Sequence, residues 1–146
     1  MPGSRPTPID PRGPRCNQAV LAVALLVGFV LDLWWVPAVF AVVLFLGAAF
    51  GPRYGPVLRF YAVVIRPRLA PPAEMEDPRP PRFAATVGVV FLTASTVAML
   101  AGASAAGWAL ALVVAVLAAL AAATGICVGC EAYVVVARRR GVQLVA

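Results

Sequence analysis

The sequence contains no histidine and no lysine, and only 12% of its 146 residues are charged. Without histidine, the chain lacks the commonest metal ligand and the side chain most often used as a general base. Soluble domains carry about 25% charged and roughly 45–50% apolar residues, whereas 62% of this chain is hydrophobic and its mean hydropathy is +0.92. A water-soluble fold of this size cannot bury so much apolar side chain, so the composition predicts an integral membrane protein.

Four apolar runs are candidates for membrane-spanning helices, and they cover about residues 17–35, 34–50, 83–103 and 107–136. About 20 helical residues cross a hydrocarbon core of ~30 Å. Short connections pair the first run with the second and the third with the fourth, which predicts an all-α membrane protein of four transmembrane helices built as two helical hairpins. The predicted organisation is a tail at 1–16, a hairpin at 17–50, a loop at 51–82, a hairpin at 83–137 and a tail at 138–146.

All 12 basic residues are arginines, and none of them lies in either short connection within a hairpin. They fall in the three segments 1–16, 51–82 and 138–146. By the positive-inside rule, both termini and the central loop are expected on the cytoplasmic side of the cell (inner) membrane. The first apolar run follows a basic tail as a signal peptide would, but it contains no small-residue cleavage pattern, so we expect it to be retained.

The central loop, 51–82, is too long for a turn. Its apolar stretch at 57–65 is bracketed by arginines, which predicts a short interfacial helix whose arginine heads reach the lipid headgroups. Such a helix would mainly connect the hairpins. The proline-rich stretch 67–81 predicts an extended and fairly stiff linker after it.

The sequence contains an internal repeat, because IDPRGPRCNQAV at 9–20 recurs as EDPRPPRFAATV at 76–87. Each copy precedes a predicted transmembrane helix on the same side of the membrane. Two parallel hairpins related by a pseudo-twofold axis along the membrane normal are therefore expected. The matching positions in the two copies are Asp10, Pro11, Arg12, Pro14 and Arg15 with Asp77, Pro78, Arg79, Pro81 and Arg82.

The repeated motif has two interpretations. In one, the aspartate caps amide groups, the proline fixes the first turn, and the arginines anchor the helix among lipid phosphates. In the other, Arg12, Arg15, Arg79 and Arg82 form a docking patch for an acidic cytosolic partner or an anionic ligand. The sequence leaves both open.

The chain has three cysteines, and two of them form the Cys-x-x-Cys pair Cys127 and Cys130 within TGICVGCEAY. On a helix, this spacing places both thiols on one face, where they can form a disulfide or bind a soft metal. They can also be two small buried residues. A metal site needs about four ligands, and only Cys16 and Glu131 could supplement the pair, so we expect no metal and no cofactor.

Two local structures are possible around the pair. The last apolar run can be one continuous helix, or it can break at Thr124 and Gly125, with Thr124 capping a new segment that carries Cys127 in its first turn. A helix N-terminus lowers the pKa of a thiol. In the broken form, Cys127 would be the attacking thiol, Cys130 would resolve the mixed disulfide, and Glu131 would accept or relay the proton. Both are expected near the cytoplasmic boundary, where Glu131 can stay hydrated.

The two DPRxPR entries, the RPRLAPP to EDPRPPRF linker and the TGICVGCEAY ending together resemble the bacterial membrane family DUF 4395, over nearly the whole chain. The resemblance implies a small polytopic protein whose closing Cys-x-x-Cys-Glu corresponds to Cys127, Cys130 and Glu131. It also implies a link to thioredoxin-like and sulfurtransferase proteins, near which members are often encoded. Cys16 stands where the second copy of the repeat has Phe83.

The leading functional hypothesis is a membrane-embedded thiol-disulfide or sulfane-sulfur exchange component. It would act through Cys127 and Cys130 with a cytosolic thioredoxin-like or rhodanese-like sulfurtransferase partner, and whether it is an enzyme in its own right stays open. The alternative is a structural or regulatory membrane anchor that recruits a cytosolic partner through its arginine-rich face. Nucleic-acid binding is not expected, because the basic residues are dispersed at membrane boundaries.

Overall fold

A computed structural model describes residues 7–51 and 54–141 of the chain. This part of the protein is all-α. Its helices are α1 (Arg12–Val30), α2 (Val36–Phe50), α3 (Pro56–Phe60), α4 (Arg79–Leu100), α5 (Ser104–Thr124) and α6 (Val128–Arg139). A π-helical turn over Tyr61–Ile65 and a 3₁₀ turn over Arg66–Arg68 continue α3.

Three helices, α1, α4 and α5, are long and apolar enough to cross a membrane. The fourth apolar helix, α2, has 15 residues, which is about 22 Å of helix and shorter than a typical span. Large apolar side chains on the outer faces of these helices are exposed, as expected for surfaces that face lipid: Val30, Leu100 and Val116 are all more than half exposed.

The expectation of one continuous helix through 107–136 is wrong, and the alternative of a break is correct. Helix α5 ends at Thr124, and Gly125 takes up a left-handed conformation with φ of 78° that an L side chain rarely adopts. Helix α6 begins at Val128. The helix expected within the arginine-bracketed stretch 57–65 is present as α3 with its π-helical continuation, and residues 69–78 form no helix.

The two copies of the repeat begin their long helices in the same way. The Asp10 carboxylate accepts the N–H of Arg12 at 2.9 Å, and the Asp77 carboxylate accepts the N–H of Arg79 at 2.9 Å. Each bond satisfies an amide that the first helical turn leaves without an internal partner. The aspartates therefore cap helix entries, as the first interpretation of the motif predicts.

The copies also meet each other directly. Ile9 and Glu76, which occupy equivalent positions of the repeat, form an isolated antiparallel β-bridge. The N–H of Ile9 donates to the carbonyl of Glu76 at 2.8 Å, and the N–H of Glu76 donates to the carbonyl of Ile9 at 2.9 Å. Such a reciprocal pair has local twofold symmetry.

The long helices also pack across the two copies of the repeat. Helix α1 packs mainly on α5, α4 packs mainly on α2, and α4 also packs on α5. By contrast, α1 and α2 touch little, although a short turn joins them. Each copy ends in a short helix that packs on its own first helix, α3 on α1 and α6 on α4.

The core is formed by buried side chains of α1, α2, α4 and α5, and it includes the fully buried Leu25 and Leu92. Ser95 of α4 donates a hydrogen bond to the carbonyl of Gly107 of α5 at 2.7 Å. At the end of the bundle remote from the repeat motifs, the indole N–H of Trp108 donates to the carboxylate of Asp32 in the α1–α2 turn at 3.1 Å. The opposite end of the bundle holds the cysteine pair.

Candidate functional site

The helix breaks just before the cysteine pair, between α5 and α6. The Thr124 hydroxyl donates to the carbonyl of Leu120 at 2.7 Å and accepts the N–H of Ile126 at 3.1 Å. It thereby satisfies backbone groups on both sides of the break. Gly125 then turns the chain with its positive φ, and the guanidinium of Arg15 fills the space beside it, since a Cβ on Gly125 would lie 2.5 Å from Nη2 of Arg15.

Cys127 is the N-cap residue of α6. Its backbone is extended, with φ of −95° and ψ of 109°, and its carbonyl accepts the N–H of Glu131 at 2.9 Å as the first hydrogen bond of the helix. Cys130 is the third residue of the helix and shares this first turn. The expectation that Thr124 caps the new segment is wrong, because Cys127 itself occupies that position.

The two thiols have opposite acid-base properties. The pKa of the Cys127 thiol is lowered to about 6, because the Cys130 thiol and, to a smaller extent, the backbone N–H groups of Cys130 and Gly129 stabilise the Cys127 thiolate. Burial and the charge of Glu131 oppose this effect. The pKa of Cys130 is raised, chiefly because its proton is held by Cys127 and because the thiol is partly buried. Both thiols are free, as is that of the half-buried Cys16.

Glu131, expected to relay a proton, is exposed in the first turn of α6. A second carboxylate belongs to the site: the charge of Glu76, like that of Glu131, raises the pKa of Cys130. Sequence patterns do not identify Glu76, because the repeat motif marks the neighbouring Asp77 and because Glu76 is far from the cysteine pair along the chain. The mutual exchange of hydrogen bonds with Ile9 holds it in place.

The four arginines proposed as a patch make separate contacts. Arg12 donates to the carbonyl of Ala70 at 3.1 Å, and Arg79 forms an ion pair with Asp77 with a shortest distance of 2.6 Å. The guanidinium of Arg82 donates to the carbonyl of Ala48 at 2.8 and 3.1 Å, and so closes the end of α2.

Arg15, the counterpart of Arg82 in the repeat, lies instead against Gly125 at the end of α5. Of the four arginines, it is the one beside the cysteine pair. Its side chain is exposed. Arg15 and Arg82 thus each lie at the C-terminal end of the second helix of the other copy of the repeat.

A large open cavity of about 1380 Å³ lies between the two copies. Cys127 and Gly129 of the α6 turn line its wall, whereas Cys130 and Glu131 do not. Segments from both repeat motifs border one end, and Leu44, Phe91 and Leu117 line the part between the long helices. The sequence offered no signal for this cavity, since its walls come from six helices.

No group of three or more histidine, cysteine or acidic residues that could hold a metal ion occurs among the described residues 7–51 and 54–141. The geometry therefore brings together a dithiol, two nearby carboxylates and an apolar cavity, and the chemistry that this set supports is sulfur chemistry at Cys127.

The fold and the composition define an all-α membrane protein with three helices able to span a bilayer. The chain matches the family described as a domain of unknown function, DUF4395, over residues 9–138. It belongs to this family, as its resemblance in the repeat motifs and the cysteine segment predicts. Comparison with the curated proteins and comparison with the solved structures give no match.

Proposed function

We propose that this protein is a membrane-embedded thiol-disulfide or sulfane-sulfur exchange component that works with a cytosolic thioredoxin-like or sulfurtransferase partner. The observation that carries the proposal is the placement of Cys127 at the N-cap of α6, with Cys130 in the same turn. Two cysteines that were merely small buried residues would not need this position. Here the first thiol is activated and the second holds a proton beside it.

In the disulfide reaction, the Cys127 thiolate attacks one sulfur of the partner's disulfide and forms a mixed disulfide, while the other partner sulfur leaves as a thiolate. Cys130 then attacks the Cys127 sulfur, its proton passing to Glu131 or to water, and the partner leaves as a dithiol once protonated. The partner is reduced and the Cys127–Cys130 pair is oxidised. In the sulfur-transfer variant, the Cys127 thiolate takes the terminal sulfur of a partner persulfide, and the partner thiolate leaves with no net oxidation.

The proposed membrane arrangement places the thiols on the cytoplasmic side. Helices α1, α2, α4 and α5 would be the four membrane spans. They would form two parallel-repeat hairpins related by a pseudo-twofold axis along the membrane normal. Both termini would lie on the cytoplasmic side of the inner membrane. The reciprocal bridge between Ile9 and Glu76 supports this symmetry, and the absence of arginine from both short connections supports the orientation. The repeat would include the third helices, since YAVVIRPR at 61–68 in the α3 segment resembles YVVVARRR at 133–140 in α6.

The test is to trap thiols in intact cells with acid and to count maleimide-reactive groups by gel shift, in wild type, Cys127→Ser and Cys130→Ser. We expect a reversible disulfide that needs both residues, and a stable mixed disulfide with a cytosolic protein in Cys130→Ser. Cys16→Ser is the matched control and should behave like wild type. Thiols that stay reduced under oxidant challenge, together with normal function of the double serine variant, would refute the proposal.

One observation favours the alternative of a membrane anchor. Arg15 is exposed, and its side chain makes no hydrogen bond or ion pair with the described residues, so the guanidinium is available to an anionic partner. An anchor predicts that recruitment of the partner survives Cys127→Ser with Cys130→Ser but is lost in Arg15→Gln. The exchange proposal predicts that the serine variants lose the mixed disulfide and that Arg15→Gln retains it.

A further inference from the structure

Few electron acceptors are possible for the reduced cysteine pair. The whole chain contains three cysteines, and none of them lies in the turns at 31–35 or 101–103 at the far end of the bundle. No second dithiol is therefore available to pass electrons across the membrane. Thiol-disulfide exchange is reversible, so the dithiol of a cytosolic partner can also reduce the Cys127–Cys130 disulfide, with each step of the proposed exchange running backwards. The Cys127–Cys130 dithiol formed in this direction can be reoxidised only by another soluble molecule or by a molecule dissolved in the membrane.

The cavity beside Cys127 reaches from the boundary of the bundle into its interior. Phe91 lies in its wall, and the twelve residues from Arg79 at the start of α4 to Phe91 correspond to about 18 Å along the helix axis. The volume of about 1380 Å³ exceeds the roughly 300–1,000 Å³ of typical small-molecule sites. The cavity therefore has room for a ring and the beginning of a long apolar chain.

The two ends of this cavity differ in chemistry. Arginines from three elements line the end near the repeat motifs, where Asp10 is the one acidic residue in the wall: these are Arg59, Arg66 and Arg82. Cys127 lies at the same end, because it follows the last turn of α5. The remainder is walled by apolar side chains of α1, α2, α4 and α5. A ligand with oxygen acceptors at its head and a hydrocarbon tail matches this division.

We propose that the cavity binds a lipid-soluble quinone, with its ring beside Cys127, and that this quinone is the oxidant of the Cys127–Cys130 dithiol. The inference rests on the proposed function, in the direction in which the partner's dithiol reduces the Cys127–Cys130 disulfide, and it supplies the electron acceptor for that direction. A phospholipid would also match the arginines and the apolar walls, but it would leave the one cavity-facing thiol without a reaction partner.

The reaction balances as a two-electron transfer. The Cys127 thiolate adds to a ring carbon of the quinone and forms an S–C bond. Cys130 then attacks the Cys127 sulfur, which forms the S–S bond and breaks the S–C bond, and the electron pair of that bond stays on the ring. The ring leaves as a hydroquinone with two protons, equal in number to those that the two thiols release. Arginine donors at the head end stabilise the negative charge that develops on the ring oxygens.

The test uses the full chain with Cys16→Ser, reduced, and reconstituted in nanodiscs of phosphatidylcholine. Decylubiquinone is added without oxygen, and hydroquinone absorbance and free thiols are followed together. We expect one hydroquinone for each disulfide formed, no hydroquinone with Cys127→Ser, and a stalled adduct with Cys130→Ser. Loss of thiols without hydroquinone, or no reaction, would overturn the inference.

A cavity-filling variant tests where the quinone reacts. Ala132→Trp places a ring in the cavity wall, whereas Val135→Trp on the same helix lies outside the wall. We expect the first to slow the reaction about tenfold or more at low quinone concentration, and the second to leave it unchanged. Equal rates in the two variants would place the reaction elsewhere and contradict the inference.

Binding is measured separately from chemistry with Cys127→Ser and Cys130→Ser combined and an azidoquinone photoprobe, which keeps the inference testable if Ala132→Trp does not fold. Labelled peptides from the cavity wall support it, and labels elsewhere, or a retained phospholipid that the probe does not displace, overturn it. The mixed disulfide with a cytosolic protein is the independent readout of the proposed function. If the mixed disulfide forms and quinone does not react, the inference alone fails; if quinone reacts and no mixed disulfide forms, the proposed partner exchange fails.

Discussion

Cys127 and Cys130 differ because the Cys130 thiol stabilises the Cys127 thiolate at the start of α6, and this effect lowers the pKa of Cys127 most. The backbone N–H groups of Cys130 and Gly129 add to the effect, since amides of the first turn have no partner within the helix. The pKa of Cys130, in the same turn, is raised by Cys127, by burial and by the charges of Glu76 and Glu131. In the proposed exchange reaction, this difference would give each thiol one role.

The first prediction concerns the pH dependence of alkylation at Cys127. In a Cys16→Ser background, the rate with iodoacetamide should rise through a midpoint near pH 6, because the pKa is lowered to about 6, whereas an ordinary cysteine has a midpoint near ~8.5. The thiolate is thus largely formed at neutral pH and is lost as the pH falls through the midpoint. Mass spectrometry of the alkylated peptide measures the rate.

Cys130→Ala provides the control for this prediction. It removes the largest stabilising contribution, the hydrogen bond from the Cys130 thiol, so the midpoint should move upward. An unchanged midpoint would mean that the backbone amides alone account for the low pKa.

At the scale of elements, the break between α5 and α6 decides where the cysteine pair lies. A continuous helix would put both thiols in the middle of a helix whose amides are already bonded, and neither sulfur could accept an N–H. Gly125 and Thr124 produce the break, and the guanidinium of Arg15 occupies the space beside the glycine.

The second prediction compares two glycines with positive φ. Gly125 has φ of 78° with the Arg15 side chain within 2.5 Å of an added Cβ, whereas Gly102 has φ of 85° and nothing within 4 Å. Alanine at either position pays about 1–2 kcal/mol for the left-handed backbone. The atoms nearest the added Cβ at Gly125 belong to the far end of the exposed Arg15 side chain, which can move aside. Gly125→Ala should therefore destabilise the protein about as much as Gly102→Ala, as measured by thermal unfolding in detergent.

Arg15→Ala combined with Gly125→Ala is the control for this prediction. Removing the guanidinium should leave the cost of Gly125→Ala unchanged, because the left-handed backbone sets that cost. A clearly smaller cost in the Arg15→Ala background would show that the Arg15 side chain cannot move aside.

For the whole molecule, several of the main helix contacts join the two copies of the sequence repeat. The first helix of each copy packs on the second helix of the other copy, and the arginines Arg15 and Arg82 each reach the end of that same helix. The copies are thus interlocked, and the cavity lies between them. Only the second copy carries cysteines at the start of its third helix. The candidate site therefore occurs once, although the repeat occurs twice.

The third prediction tests the contact between the copies. Ile9→Cys with Glu76→Cys, in a background without the native cysteines, should form an intramolecular disulfide under mild oxidation. Reciprocally bonded residues of an antiparallel pair have Cα atoms about 5.5 Å apart, within the range of a disulfide. Non-reducing electrophoresis after proteolysis between the copies detects it.

Ile9→Cys with Glu74→Cys is the matched control and should not cross-link efficiently, because Glu74 has no bridge to Ile9. A disulfide between two chains in the Ile9 and Glu76 variant would show instead that the copies pair between molecules.

The amino-acid sequence by itself determined the class of the protein, its family, the internal repeat and the cysteine pair as the candidate site. Each of these follows from composition or from local spacing: apolar runs, the recurrence of Asp-Pro-Arg, and two cysteines three residues apart. It also predicted a helix break at Gly125 as one of two alternatives, since a single glycine is compatible with a break and with a continuous helix.

The tertiary structure decided the rest, because it depends on which helices touch. Three features of the site depend on local conformation or on contacts that no periodicity encodes. Cys127 and not Thr124 caps α6, the charge of Glu76 raises the pKa of Cys130, and Arg15 lies against Gly125. The cavity at Cys127 exists only because α1 packs on α5 and α2 on α4. In a chain with apolar residues on every face of its helices, hydrophobic pattern cannot select those partners, and close packing between particular surfaces does.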